Sequence, residues 1–329
     1  MEDRELEALR RHGFGVAYRM LGSVSEAEDV AQEALLRLTK SEEHIDEPAA
    51  WVTTVATRLS INVLKSARAR REAYVGPWLP EPLLEDPAPG PASRAELADS
   101  LSLALLTLLE RLTPLERAAY LLREVFGYEY AEIAGVIERT EVNSRQLVAR
   151  ARKHIEANRP RFDPDEAARD ALLERFLAAA EEGDLEGLEA MLAEDAVLYA
   201  DGGDKAIAAQ RPVHGAAVIA RYLAGVAQVR RAFGDYEMRL VRVNGQPGRL
   251  LLGPAEPAFG EAERQATADA LRLMASGEVP ASEIVARMGA VLKPIEGEVG
   301  VRDVLTVDVV DGRIQTIRII RNPDKLAHL

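Results

Sequence analysis

The stretch Tyr74-Val75-Gly76-Pro77-Trp78-Leu79-Pro80-Glu81-Pro82 limits what this chain can fold into more than any other. Each of its prolines lacks a backbone N–H and clashes with a preceding helical turn, so no helix continues through it. The same rings hold the backbone near an extended polyproline conformation, which makes a shaped connector and not a floppy tether. The chain is therefore built as separate blocks on either side. A plain spacer has no use for a large indole, yet Trp78 is one of two tryptophans in 329 residues. From composition alone, Trp78 and Leu79 read as a patch on a nearby core.

Both blocks flanking the connector read as all-helical. Leu6, Leu9, Val16, Ala17, Met20 and Leu21 recur at helical spacing until Gly22-Ser23 breaks the pattern. Ser25, followed by Glu26 and Glu28, then reads as an N-cap with an acidic first turn. The helix it opens is apolar at Val30, Ala34, Leu35 and Leu38 and polar at Asp29, Gln32, Glu33 and Arg37. Asp46-Glu47-Pro48 starts a third helix from Ala49 to about Arg71. Beyond the connector, Leu83 to Pro91 reads as loose linker, and Ser93 as the cap of a helix running to Leu112. Thr113-Pro114 starts the next helix, which Gly127 ends. Tyr130 to Glu138 forms a short helix, and Thr140 caps a last one from Glu141 to about Asn158. A tight turn between those two helices is the sequence form of a helix-turn-helix.

A second boundary lies at Arg159-Pro160 to Asp163-Pro164. After it come two helices, Glu166 to Ala180 and Leu185 to Leu192, and then strands at Ala196–Ala200 and Tyr236–Val243. A hairpin with strong turn chemistry at Asp311-Gly312 comes last, between Leu305–Val310 and Arg313–Ile319. Helices followed by a run of antiparallel strands predict an α+β domain with helices on one face of a curved sheet. The expected domains are 1–72, a Pro-rich linker 73–92, a helix-turn-helix block 93–160, and an α+β domain 165–329.

The formal net charge of −13 argues against nucleic acid until its distribution is considered. No acidic residue falls between Glu47 and Glu72, where Arg58, Lys65, Arg68, Arg70 and Arg71 cluster. A second basic run holds Arg145, Arg150, Arg152, Lys153 and Arg159. Only the first turns of a recognition helix reach base edges, which makes Glu141, Val142, Asn143, Arg145 and Gln146 the candidate readers. Arg150, Arg152 and Lys153 lie further along and suit phosphates. The absence of cysteine excludes disulfides and thiolate metal sites. No apolar run is long enough to span a membrane, and the acidic N-terminus is unlike a secretory signal, so a cytoplasmic protein is expected.

Several clusters of residues carry a family resemblance. Tyr18-Arg19-Met20-Leu21-Gly22-Ser23 with Ala27-Glu28-Asp29-Val30-Ala31-Gln32-Glu33 closely resembles region 2 of extracytoplasmic-function (ECF) sigma factors. Leu112-Thr113-Pro114-Leu115-Glu116-Arg117, Leu122–Tyr128 and Tyr130–Ala134 are similar to region 4 of that family. The connector and the long tail, with Asp201-Gly202-Gly203-Asp204-Lys205 and Asn322-Pro323-Asp324-Lys325-Leu326, resemble the subgroup with a SnoaL-like C-terminal extension. The resemblance implies a multidomain chain: two all-α domains, sigma region 2 and region 4, then a cone-shaped SnoaL-like (NTF2-like) α+β domain.

The resemblance also implies roles. Asp29, Gln32, Glu33 and Leu36 would dock on the clamp of core RNA polymerase. Arg58, Asn62, Lys65 and Arg68 would face the single-stranded −10 element, and the helix-turn-helix the −35 duplex. Trp78, Leu79, Pro80, Glu81 and Pro82 of the connector and Asp201, Gly202, Gly203, Lys205, Asn322, Pro323, Lys325 and Leu326 of the tail motifs make up the expected interdomain regulatory set. The further expectation, beyond the resemblance, is that the tail grips Trp78-Leu79-Pro80 when polymerase is absent. SnoaL-like folds include enzymes, and Asp201, Asp204, His214 and Tyr222 could be cast as an acid/base set. Their spacing does not converge them, so the expectation is regulation in cis, with no catalytic residue, metal or cofactor assigned. The second reading is a transcription regulator fused to a small-molecule-binding or enzymatic domain. Pro254 to Pro294 departs from the family as an insertion, with helices read at Glu261–Ala275 and Ser282–Val291. It is either a surface elaboration or a cover over a cavity mouth.

Overall fold

The computed structural model describes residues 3–42, 44–84, 102–158, 165–231, 234–254, 260–280, 282–283 and 299–329. The chain forms two compact units. One comprises Met1–Ala73 and Pro91–Arg159. The other joins Tyr74–Gly90 to Pro160–Leu329, so the connector belongs to the C-terminal unit.

In the helical unit, α1 (Asp3–Leu21), α2 (Val24–Thr39) and α3 (Pro48–Glu72) pack together. Val16, Ala17, Tyr18, Met20 and Leu21 on α1 are buried, as are Ala27, Ala31 and Ala34 on α2 and Val52 and Ala56 on α3. Gly13 permits this closeness, since a Cβ there would lie 3.1 Å from Val52 Cγ1. The cap of α2 is Ser23, not Ser25. Gly22 takes a left-handed φ of 65°, Ser23 is extended, and its hydroxyl accepts from Glu26 N at 3.3 Å.

After residues 85–101, which include the expected Ser93 cap and lie outside the described set, α4 (Leu103–Leu109) starts at Ser102. Next, α5 (Pro114–Glu124) opens with a full capping box between Thr113 and Glu116. The helix-turn-helix is α6 (Tyr130–Ile137) and α7 (Glu141–Asn158). Glu138 turns the corner at φ 55°, ψ 53°, and the Thr140 hydroxyl accepts from Asn143 N at 3.2 Å. Residues 159–164, the expected second boundary, also fall outside the described set.

The C-terminal unit begins with α8 (Glu166–Glu182), capped by Asp165 and ended by left-handed Gly183, and α9 (Leu185–Met191). Then come β1 (Leu192–Asp201), β2 (Val213–His214), α10 (Ala216–Arg231), β3 (Glu237–Val243), β4 (Gln246–Gly253), α11 (Glu261–Ser276), β5 (Gly300–Val310), β6 (Arg313–Ile320) and α12 (Pro323–Leu326). One six-stranded sheet has the order β2-β1-β6-β5-β4-β3. It is mixed, not an antiparallel run: β1 pairs in parallel with β6, because the intervening chain crosses back before the sheet closes. Leu198, Leu305, Val307 and Ile317 pack on Phe176 and Leu173 of α8 and Ile219 of α10 in one core.

The insertion is part of that core. Leu271, Met274 and Ala275 of α11 are buried within it, and Arg221 Nε on α10 donates to Ala275 O at 2.8 Å. A Cβ at Gly225 would collide with the Met274 side chain, so the glycine lets α11 lie close on α10. Most of the second expected insertion helix, Ser282–Val291, lies outside the described residues.

Candidate connector clamp and nucleic-acid interface

Parallel β1 and β6 end together, and the Asp201 backbone ties the last residue of β1 to the turn after β6. Asp201 O accepts from Arg321 N at 2.7 Å and Asn322 N at 2.9 Å. Asn322 caps α12, its side chain accepting from Asp324 N at 3.1 Å, with Pro323 in the first turn. In the sheet, Asp201, Ile320 and Val304 form one cross-strand row. Strand alternation puts that row on the face opposite Leu198, Leu305 and Ile319, away from the helical core.

The Asp201 carboxylate is fully buried and gathers three donors. Tyr74 OH donates to Oδ1 at 2.5 Å, while Leu79 N and Lys325 Nζ each donate to Oδ2 at 2.7 Å. Lys325 Nζ also donates to Leu79 O at 2.5 Å, so the Leu79 backbone is held at both its polar groups. Asn322 Nδ2 donates to Tyr74 OH at 2.8 Å. The Lys325 ammonium lies 4.1 Å from the Trp78 ring centroid and 4.9 Å from that of Tyr74. A buried charge persists away from water only when paired and fully hydrogen-bonded, as this one is. Burial first, and then the Asp201 charge, hold the Tyr74 phenol far above its ordinary range, so it remains a donor.

A second hold lies further along. Asn244, in the turn between β3 and β4 at φ 51°, accepts from Leu83 N at 2.9 Å and donates its own N–H to Leu83 O at 2.8 Å. Leu84 bridges Val243, and His328 Nε2 lies 2.8 Å from Pro82 O. The start of the supposed loose linker at Leu83 is therefore paired with the sheet. Leu79, Pro80 and Pro82 are buried, Trp78 and Glu81 half-buried.

Of the other tail residues, Leu326 is buried, and Gly202 and Gly203 shape the turn. Lys205 is exposed and pairs with Asp324 at 2.7 Å. Gly203 has φ 56°, and a Cβ on it would stand 2.7 Å from Asn322 Nδ2 and 2.9 Å from Tyr74 OH. Gly203→Ala is therefore expected to lower thermal stability by more than the roughly 1 kcal/mol of a backbone penalty alone. Denaturant titration of the full chain reads this, and an unchanged midpoint would contradict the geometry. Tyr74, Asn244 and His328 join the expected residues in this hold.

In the helical unit, Asp29, Gln32 and Leu36 are exposed on one side of α2, and half-buried Glu33 pairs with Arg37 at 2.7 Å. Arg58, Asn62 and Lys65 are exposed along α3. Arg58 is engaged inside the unit, donating to Val136 O at 2.9 Å and Gly135 O at 2.8 Å at the end of α6. The Arg68 side chain lies outside the described residues. On α7, Glu141, Val142, Arg145, Gln146, Arg150, Arg152 and Lys153 are exposed and Asn143 half-exposed. Arg145 pairs with Glu141 and stands 4.4 Å over the Tyr130 ring. Arg150 pairs with Glu116 at 2.9 Å and Arg152 with Glu124 at 2.6 Å, whereas Lys153 has no partner among the described residues.

The four residues considered for acid/base chemistry do not converge on one point. Asp201 is committed to the connector and Asp204 is exposed in the turn. His214 sits in the two-residue strand β2, and it shares a pocket with Tyr222. The described residues hold no cluster of three metal-ligating side chains. They hold no helix long and apolar enough to cross a membrane.

A helix-turn-helix behind a second helical block, with an α+β domain holding the connector between them in sequence, defines a DNA-directed transcription protein with an appended domain. Similarity to known proteins agrees. Sigma-70 region 2 matches residues 6–70, Sigma-70 region 4 matches 102–155, and a SnoaL-like domain matches 173–253. The chain is 39% identical over 258 residues to the ECF RNA polymerase sigma factor SigJ of Mycobacterium tuberculosis, spanning 77% of this chain and 82% of that one. It is 36% identical over 184 residues to the same organism's probable ECF RNA polymerase sigma factor SigI, covering 55% and 63%. The crystal structure of M. tuberculosis SigJ superposes with a TM-score of 0.68 at 30% identity, over 99% of this chain and 98% of that one. The chain belongs to the ECF RNA polymerase sigma factors and carries a SnoaL-like C-terminal domain.

Proposed function

We propose that this sigma factor brings core RNA polymerase to its promoters and that the SnoaL-like domain governs its activity by holding the connector. The observation that carries this reading is the buried Asp201 carboxylate, whose donors come from the connector and the C-terminal helix. A connector fixed at Tyr74, Leu79, Pro82 and Leu83 has little freedom to take any other path. Sigma activity would then require those bonds to be released or to be held in one productive arrangement.

Within the reading, Asp29, Gln32, Glu33 and Leu36 meet polymerase. Asn62, Lys65 and Arg68 meet the −10 strand, with Arg58 joining them when it leaves the α6 carbonyls. The first turns of α7 read the −35 duplex, and Arg150, Arg152 and Lys153 hold phosphates. An acidic body adds repulsion to every phosphate contact, so the free protein binds duplex weakly and salt-dependently.

In vitro transcription with core polymerase tests the proposal. Full-length protein, a truncation before Asp165, and a truncation before Asn322 are expected to differ in initiation from one promoter. Equal activity of all three would refute control through the connector. Tight sequence-specific duplex binding by the free protein at physiological salt would refute the requirement for polymerase.

A further inference from the structure

The inserted helix α11 walls a pocket of about 310 Å³ with α10, β2 and the segment Ala209–Pro212. That size lies at the lower end of the range for small-molecule sites, about 300–1,000 Å³. Its interior is largely apolar, made by Val213, Val218, Ala268, Ala275 and the buried Tyr222 ring. Cations stand around it: Arg211 is exposed with no partner among the described residues, and Arg272 reaches only Asp269 of its own helix, at 3.3 Å. Asp269 is the one carboxylate in the lining, against two guanidiniums. An apolar body with a cationic rim selects an amphipathic anion.

The pocket also adjoins the connector clamp through one stretch of chain. Residues from Asp201 to Val213 join β1 to β2, with the clamp at one end and a pocket wall at the other. Arg321 Nη1 donates to Ile207 O at 2.7 Å midway. Ala209, Gln210 and Gln265 line this pocket and also a neighbouring cavity bounded by Val75, Gly76, Gly202 and Gly203. Connector Gly76, at φ 80°, lies against the Gln210 backbone. Tyr222, whose phenol is raised above its ordinary value chiefly by burial, lines the pocket together with Ala209 and Gln210 of this segment. A molecule seated on Tyr222 thus presses on the chain that touches the connector.

We propose that this pocket binds a small amphipathic anion, a carboxylate on an apolar body, and that the Asp201–Val213 segment carries its occupancy to the connector. The consequence for activity rests on the connector reading above; the binding does not.

Calorimetry on the full-length protein with decanoate and with uncharged 1-decanol tests the binding. Decanoate is expected to bind saturably and more tightly than the alcohol. Ala268→Phe, which fills the pocket, abolishes it, and Arg211→Ala weakens it by about five- to tenfold, the scale of one ordinary net hydrogen bond at an exposed site. In a Trp51→Phe background, decanoate is expected to alter acrylamide quenching of Trp78. Absent binding, equal binding by the alcohol, or binding unaffected by Ala268→Phe overturns the pocket. Saturable binding without any change at Trp78 overturns its coupling to the connector. If binding and coupling hold while all truncations transcribe alike, the connector reading fails and the ligand site stands.

Discussion

Asp201→Ala is expected to cost about 3–5 kcal/mol of stability in the C-terminal unit, because it strands the buried Lys325 ammonium without its carboxylate. The same change removes the acceptor of the Leu79 N–H and of the Tyr74 hydroxyl. An unsatisfied buried donor adds its own desolvation cost of about 1–3 kcal/mol, though part is relieved if the connector detaches and water enters. Detachment is therefore the expected structural outcome. Trp78, now beside Lys325, would become accessible to a quencher while the sheet core around Leu305 and Ile317 persists. Denaturant titration reads the loss, and Trp78 quenching in the Trp51→Phe background locates it. A second substitution separates charge from packing. Asp201→Leu combined with Lys325→Met removes both charges and is expected to recover part of the single-variant loss. An Asp201→Ala protein within about 0.5 kcal/mol of the parent, the range of an ordinary surface change, would show that the carboxylate does not hold the connector.

How much of this fold is legible in the amino-acid sequence depends on whether the signal is local. The helix-turn-helix can be read because Thr113-Pro114, Gly127 and Thr140 punctuate it within a few residues, and each acts as expected. The cap of α2 lies two residues before its expected place because Ser23 and Ser25 both qualify locally, and the left-handed Gly22 decides between them. The strand partners are harder. Nothing near Ala196–Ala200 says that its partner is a parallel strand more than a hundred residues later, and β2 is too short to carry a period.

The clamp divides in the same way. Asp201, Asn322 and Lys325 are legible through family resemblance alone, and their bonds to Tyr74 and Leu79 span 122 to 248 residues of sequence. Asn244 looks like an ordinary hairpin asparagine, and His328 like a terminal histidine. Their grip on Leu83 and Pro82 exists only once the connector lies along the sheet. The sequence leaves the insertion open between surface elaboration and cavity cover, because helical periodicity reports an apolar face without saying what it meets. Gly225 beneath Met274 reveals the answer only in three dimensions.

The helical unit makes an equally strong demand on one side chain. Arg117→Met is expected to cost about 3–5 kcal/mol, from the loss of a guanidinium that is 2% exposed yet hydrogen-bonded at three points. Arg117 Nε donates to Leu109 O at 2.9 Å, and Nη1 donates to Met20 O and Glu110 Oε1, each at 2.6 Å. Burial pulls the group down to about 9, so it still carries its proton at neutral pH. Methionine fills much of the volume, so the cost is polar: the Glu110 carboxylate loses its cation and two carbonyls lose their donor. The position of those carbonyls matters more than their number. Leu109 ends the helix before the Thr113 cap, and Met20 lies in the last turn of α1, so one residue ties region 4 to region 2. Arg58, which bonds the Gly135 and Val136 carbonyls from α3, ties them at a second point. Arg58 is half-exposed and solvent can replace its bonds, whereas nothing replaces those of Arg117. Hydrogen exchange is therefore expected to quicken at the end of α1 and across α4 in Arg117→Met, with the α6–α7 pair less affected. Uniform exchange throughout the unit, or a midpoint equal to the parent's, would mean that the two regions are held together by apolar packing alone.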